Sequence, residues 1–490
     1  GVNAGDTIAS GGNYNTVVGD EAGTALTTGD GNVAIGFEAL KTEDADGQNV
    51  AIGYQASKVL NAGANAESVM VGYQAGSAMT TGLYNVGIGR AALTAETQGD
   101  KSVAVGNGAL GTQNGTDGDV FNTAVGHAAG GVITTGTLNT IIGGLSGDAL
   151  TDGSGNVSLG YNSLSADTRG KNSVALGRNA LAVQNLTSST DAYNIAIGRA
   201  AGGAITSGVQ NTIIGSLAGD ALTDADYNVA VGKSALSACT QGSKSTAIGT
   251  ACLEAQNISS AADSLNTAVG FSAGYGLTTG TQNTLMGVNS GYGAITGAGN
   301  SCYGLESGNS ITSGAYNTFI GRYTADSLTT GAYNSHLGND TDVSANNVQF
   351  GIAIGHGAVD KGTNTGFLSS NQGIYQGNNN ASWSTTSDIR IKKNITDNNI
   401  GLDTINKIKV KNFEYRTEDE IVDFDNPKAA VVEKEGIQLG VIAQEIQAIL
   451  PDVVTEQSTG VLSVSPDNIT WYLVNAVKEL SAKVKALEDG

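Results

Sequence analysis

A chain of 490 residues has room for several domains, yet aromatic residues make up 5% of it and charged residues 14%, so no ordinary large globular core is encoded. A net charge of −21, from 24 Lys+Arg against 45 Asp+Glu, argues against direct binding to nucleic acid or a basic grip on an anionic membrane. No apolar run reaches spanning length, which speaks against membrane insertion.

From the N-terminus a short motif recurs, Asn-(Thr/Val)-x-(Val/Ile)-Gly, closing at Gly19, Gly36 and Gly53 and continuing to Gly355 at a spacing of seventeen with occasional additions. A longer repeat lies over it: NTIIGGLSGDALTD, beginning at Asn139, returns as NTIIGSLAGDALTD at Asn211. Short Val/Ile-rich runs followed by Gly/Asn/Asp/Thr turns predict one brief strand per unit, and seventeen residues suit one coil of a parallel β-solenoid. The recurrent glycine predicts a positive φ or a close neighbouring backbone, and the recurrent asparagine predicts stacked amides. Three residues after each glycine stands only Ala, Ser, Thr or Cys. Such residues, Ala201 and Ala235 among them, are expected to line a crowded interior shared between chains. At a strand spacing of roughly 4.8 Å per coil, such an arm would be a rod on the order of 100 Å long.

Several isolated features carry less. Cys239, Cys252 and Cys302 have neither CxxC spacing nor a Cys/His cluster and read as free thiols. His127, His336 and His356 stand singly and read as surface side chains, and Asp44 to Gly47 reads as an acidic turn without the later glutamate of a calcium loop. No metal or other cofactor is expected. Tyr14, Tyr84, Tyr193, Tyr227, Tyr316 and Tyr333 each precede a motif asparagine, as stacked packing between coils or as a sugar-binding strip.

The pattern loosens from Ser335 to Ser384, where Phe367, Tyr375 and Trp383 gather among Asn and Gly. These three rings are the candidates for contact with a cell-surface glycan or protein receptor, with end-of-rod packing as the alternative. Composition then changes abruptly at Ser387: nearly all glycines precede it, and Pro427, Pro451 and Pro466 all follow it. Three segments are therefore expected: a shaft over 1–355, a tip or linker over 356–386, and a small α+β module over 387–490. In that module Gln438 to Leu450 carries Val441, Ile442, Ile446, Ile449 and Leu450 at helical spacing and stops at Pro451. Ser465-Pro466 opens a final helix whose Leu473, Val477, Leu480, Val484 and Leu487 alternate four and three apart, the seam of a coiled coil.

Two resemblances follow from these residues. The units NVAIG at Asn32 and NSVALG at Asn172 resemble the head repeats of trimeric autotransporter adhesins, which stack as parallel β-rolls three chains around, and similar glycine-rich repeats occur in bacteriophage tail fibres. Ser387-Asp388-x-Arg390-x-Lys392, Asn394-Ile395, Gly440 to Glu445 and Leu450-Pro451 resemble the endosialidase-type intramolecular chaperones, which sit at the C-terminus of phage tail spikes and fibres. That resemblance implies a homotrimer, an extracellular place in the virion among other tail proteins, and release of the module by self-cleavage. Ser387 and Lys392 would then form a Ser-Lys dyad, the lysine partly desolvated so that it can act as base. Attack on the carbonyl of Thr386 closes a five-membered ring, which favours scission between Thr386 and Ser387. A non-phage trimeric adhesin with the same module and a tailspike depolymerase are the rival expectations.

Overall fold

The computed structural model describes residues 1–63, 65–258, 262–369, 389–417, 420, 421, 432, 434–457 and 460–490. The chain is mainly β, a parallel solenoid of seventeen-residue coils followed by a small C-terminal module, and its internal contacts divide it into two units, Gly1–Tyr333 and Asn334–Gly490.

In the first unit each coil contributes one three-residue strand ending just before the closing glycine. Thr16–Val18, Val33–Ile35 and Val50–Ile52 are the first three, and each pairs parallel and in register with the next. Strand side chains alternate. The central residue points into the coil and has no exposed surface at Ala34, Ala51 or Ala104, while its two neighbours point outward.

The closing glycine is required twice over. Gly36 has φ of 127°, and a Cβ placed there would lie 2.4 Å from the carbonyl oxygen of Gly53 in the next coil. The motif asparagines form the expected ladder. Asn139 accepts from the backbone N–H of Asn156 at 3.0 Å through its side-chain oxygen, and its amide nitrogen donates to the Gly153 carbonyl at 2.9 Å. Each rung satisfies backbone groups that burial would otherwise leave unpaired, worth about 1 kcal/mol apiece.

The interior is narrow, and two positions in each coil compete to fill it. Where the fourth residue after the closing glycine is Leu, the seventh is polar or small: Glu96, Gln113, Asp167 and Gln184 follow Leu93, Leu110, Leu164 and Leu181, and Cys239 follows Leu236. Where the fourth is Gly, as at Gly130, Gly202 and Gly219, the seventh is apolar: Ile133, Ile205 and Leu222. The exchange is steric, since a Cβ on Gly202 would lie 2.8 Å from the Ile205 Cδ1. The backbone at this position is left-handed in both classes, φ being 55° at Gly202 and 48° at Leu181. Leucine is held there by burial against its conformational preference.

Polar seventh residues are paired across adjacent coils. Gln113 donates to Glu96 at 2.8 Å and to Ser102 at 2.9 Å, and accepts from Asn122 at 2.9 Å. Gln184 repeats the arrangement with Asp167, Ser173 and Asn194. Glu43 is the exception, because the next coil offers Leu60 where a glutamine would be. Its Oε2 has no hydrogen-bond partner, and burial, reinforced by the Asp46 carboxylate, pushes its pKa up to about 8.

Some expectations need correction. The small residues three after each glycine do meet a crowded wall, but Ala201 and Ala235 are fully buried within the single chain's own coil, so their size answers to that interior. His336 is buried rather than on the surface: it holds the inward position of strand Ser335–Leu337, with its Nε2 3.5 Å from the Asp360 carboxylate. The cysteines are free and buried, and burial pushes the Cys252 and Cys302 thiols up to about 12. Of the tyrosines before motif asparagines, Tyr316 and Tyr333 stack at 5.2 Å, and all six stand exposed.

The second unit opens with strands Ser335–Leu337, Ile352–Ile354 and Gly366–Leu368, paired parallel like those before them. In the C-terminal module, the helix expected over Gln438 to Leu450 is divided. Gln438–Gly440 is a strand antiparallel to Lys411–Phe413, and only Ala443–Gln447 is α-helical, because pairing captures the residues up to Gly440.

Two consequences are measurable. Gly202→Leu should cost about 1–3 kcal/mol by overpacking against Ile205, and Gly202→Leu with Ile205→Ala should recover much of it by converting the coil to the other class; thermal unfolding of the two variants checks this. For Glu43 the folded pKa lies above the ordinary 4.5, so the folded state holds the proton more tightly and stability falls as pH rises from about 4.5 to about 8. Glu43→Gln should therefore raise the melting temperature at pH 8 and leave it nearly unchanged at pH 4.

Candidate functional site

The C-terminal module is organised around a long final helix. It opens with a 3-10 turn, Ile389–Ile391, followed by α1 at Leu402–Ile405, the sheet just described, α2 at Ala443–Gln447, the hairpin of Val454–Glu456 and Leu462–Val464, and α3 at Pro466–Glu488. Ile446 of α2, Leu450, Val453 and Tyr472 of α3 make its small core, with Ile405, Ile408, Val441 and Ile469 packed around it. Polar contacts tie the early segment to α3. Glu479 accepts from the Leu402 N–H at 3.0 Å, and Asn475 donates to the Asn398 carbonyl at 2.9 Å. The Tyr472 hydroxyl donates to Asp452, which raises the phenol's pKa, and Lys411 pairs with Glu445.

One face of α3 is used in this way and the other is not. Tyr472 and Ala476 are buried, whereas Leu473, Val477, Leu480, Val484 and Leu487, the five seam residues, are all exposed, Leu487 at 82%. A further large ring, Trp471, is exposed beside a shallow depression lined by Asn398, Asn468, Tyr472 and Asn475. It was not singled out from sequence, because it lies off the heptad positions.

Of the dyad, Lys392 is described and Ser387 is not; Thr386, Tyr375 and Trp383 likewise lie outside the described residues. The Lys392 backbone N–H donates to the Ile389 carbonyl at 3.2 Å, closing the 3-10 turn, and its side chain is exposed in the single chain. Phe367 takes the inward position of strand Gly366–Leu368, opposite Ala353, half-buried with the Lys361 ammonium 4.6 Å from its ring centre. That position suits closing off a coil. Among the described residues no group of three or more His, Cys, Asp or Glu side chains is placed to hold a metal ion.

Residues 387–455 match the family described as chaperone of endosialidase. The module contains a chaperone-of-endosialidase domain. The match begins at Ser387, the residue at which the composition changes, and ends within the hairpin, so α3 and its seam lie beyond it. Comparison of the whole chain with curated proteins finds no match.

The seam makes a direct prediction. Leu480→Asp with Val484→Asp should leave helical content intact, since both residues are exposed on α3, and should weaken self-association measured by sedimentation of the purified chain.

Proposed function

We propose that this chain is a subunit of a trimeric fibre, a phage tail fibre that carries host-cell attachment, and that its C-terminal module directs trimer assembly and then cuts itself free. The observation that carries the reading is the succession of the two parts in one chain: a chaperone-of-endosialidase domain follows a parallel β-solenoid and begins at the residue where the composition changes. A long repetitive solenoid is a spacer by construction, and the exposed seam of α3 is a surface suited to bringing chains together.

In the proposed cleavage the Ser387 hydroxyl oxygen attacks the Thr386 carbonyl carbon while the Lys392 amine accepts the hydroxyl proton. The C–N bond to Ser387 breaks, the nitrogen takes that proton and becomes a free amine, and an ester remains between Thr386 and the Ser387 oxygen. Water then hydrolyses the ester, leaving a carboxylate on Thr386 and restoring the serine. Lys392 must be neutral to begin this, which removal of the amine from water favours. Desolvation by neighbouring chains on assembly would supply the neutral amine, which orders the events: trimer first, cleavage second. The exposed end left by release is where Phe367, Tyr375 and Trp383 are proposed to meet a surface glycan or protein.

Purified wild-type chain should yield two fragments, the smaller beginning at Ser387 by mass spectrometry. Ser387→Ala and Lys392→Ala should each remain full length while sedimenting as trimers. Unchanged cleavage of the serine variant in protease-free preparations would overturn the dyad.

A further inference from the structure

The C-terminal module carries a group of side chains that neither its core nor its seam employs. On α3, Asn468, Trp471, Tyr472 and Asn475 stand at i, i+3, i+4 and i+7, which places them in one stripe along the helix. Asn398, from the segment ahead of α1, closes that stripe into the shallow depression. Trp471 is 68% exposed there, whereas Tyr472 beside it is buried and has its hydroxyl committed to Asp452. The α3 stripe lies beyond the matched residues 387–455.

The amides around the indole are held in place by one half of their hydrogen-bonding capacity. Asn475 donates through Nδ2 to the carbonyls of Asn398 at 2.9 Å and Ile400 at 3.3 Å, which leaves its Oδ1 open to accept. Asn398 accepts through Oδ1 from the Ile400 N–H at 2.9 Å, which leaves its Nδ2 open to donate. Among the described residues, neither the Asn468 amide nor the Trp471 indole N–H has a hydrogen-bond partner. A positioned acceptor and a positioned donor therefore stand beside an open ring.

That combination suits a ligand whose own groups both give and take hydrogen bonds around an apolar face. A sugar ring has this form: its C–H face packs on an aromatic ring while its hydroxyls, each donor and acceptor, meet amides at the rim. Charge narrows the class further. No carboxylate, lysine, arginine or histidine lines the depression, so an anionic sugar would find no counter-charge. A proline-rich peptide would call for a groove of several rings, and here amides surround a single open one.

We propose that this depression binds a neutral saccharide unit, packed on Trp471 and hydrogen-bonded by Asn398, Asn468 and Asn475. The site is separate from the tip contact proposed for Phe367, Tyr375 and Trp383, and it stays with the module whether or not cleavage releases it. It is also separate from the seam. Thr470, three residues before Leu473, continues the heptad, and Trp471 lies about 100° further round the helix. Association through the seam does not call on the indole.

Trp383 and Trp471 are the two tryptophans of the chain, so Ser387→Ala with Trp383→Phe gives an uncleaved chain in which Trp471 alone reports. Its emission should change saturably with the methyl glycoside of glucose, galactose, mannose or N-acetylglucosamine, and less with N-acetylneuraminic acid. In that chain Asn468→Ala, which removes no internal hydrogen bond, should weaken the response roughly three- to tenfold. Trp471→Ala should abolish saturation-transfer NMR signals from the same sugar. No saturable change with any of these neutral sugars, an equal or stronger response to N-acetylneuraminic acid, or binding that either substitution leaves unchanged would overturn the site. An indole shielded from acrylamide in a preparation that sediments as a trimer would give the face to a neighbouring copy and overturn it as well. Contact at the tip does not produce these signals, because Trp383 is absent from the reporting chain.

Discussion

The contact on which the solenoid depends is the approach of one closing glycine to the carbonyl of the next. At Gly36 and Gly53, at Gly143 and Gly160, and at Gly232 and Gly249, the space a Cβ would need is occupied by backbone of the following coil. No side chain can enter there, so the turn out of each strand stacks at the spacing set by strand pairing. With that column fixed, the asparagine ladder falls into line, and each rung spans adjacent coils at hydrogen-bonding distance. The interior that remains is a channel one large side chain wide. That narrowness explains why the third residue after the glycine is small and why Leu at the fourth excludes a large apolar residue at the seventh.

Much of this was legible because a solenoid writes its geometry as repetition. The period, the glycine and the asparagine each recur at a fixed offset, and the structure bears out the coil, the close backbone approach and the amide ladder read from them. The interior's ownership was less legible. A small residue at Ala201 reports crowding without saying whose atoms do the crowding, and they belong to the same chain. The exchange between fourth and seventh positions was present as a pattern of Leu with Glu, Asp, Gln or Cys and of Gly mostly with Ile, Leu or Met, but it acquires meaning only when both positions are seen to project into one space.

The C-terminal module was read less evenly, for a different reason. Its seam on α3 follows a periodicity that needs no partner to be recognised, and it is exposed as the heptad requires. The stretch from Gln438 to Leu450 also has helical spacing, yet Gln438 to Gly440 lies in a strand because Lys411 to Phe413 offers backbone partners that a sequence pattern does not display. Lys392 illustrates the limit for chemistry: residue type and spacing suggested a base, while the described residues place its backbone at the close of a 3-10 turn and leave its side chain exposed in the single chain.

Repetition also creates a problem that accounts for the pairing of these two modules. Coils such as those closing at Gly143 and Gly215 are nearly interchangeable, with Ile141 and Ile213, and Leu150 and Leu222, at matching inward positions, the same asparagine and the same uncharged outer strand positions. Two chains could pack with one shifted by a coil, or by four coils, and lose little of the contact that holds them. Local interactions therefore cannot select the correct alignment. A unique structure outside the repeat can, and the module after Ser387 is unlike the repeat in sequence and carries an exposed heptad seam of the kind that brings helices together. Under the proposed assembly, register set at that end would let stacking proceed coil by coil from an aligned start, after which the determinant of register would no longer be needed. A module that aligns the chains and is then removed is consistent with a solenoid whose own sequence cannot distinguish one alignment from the next.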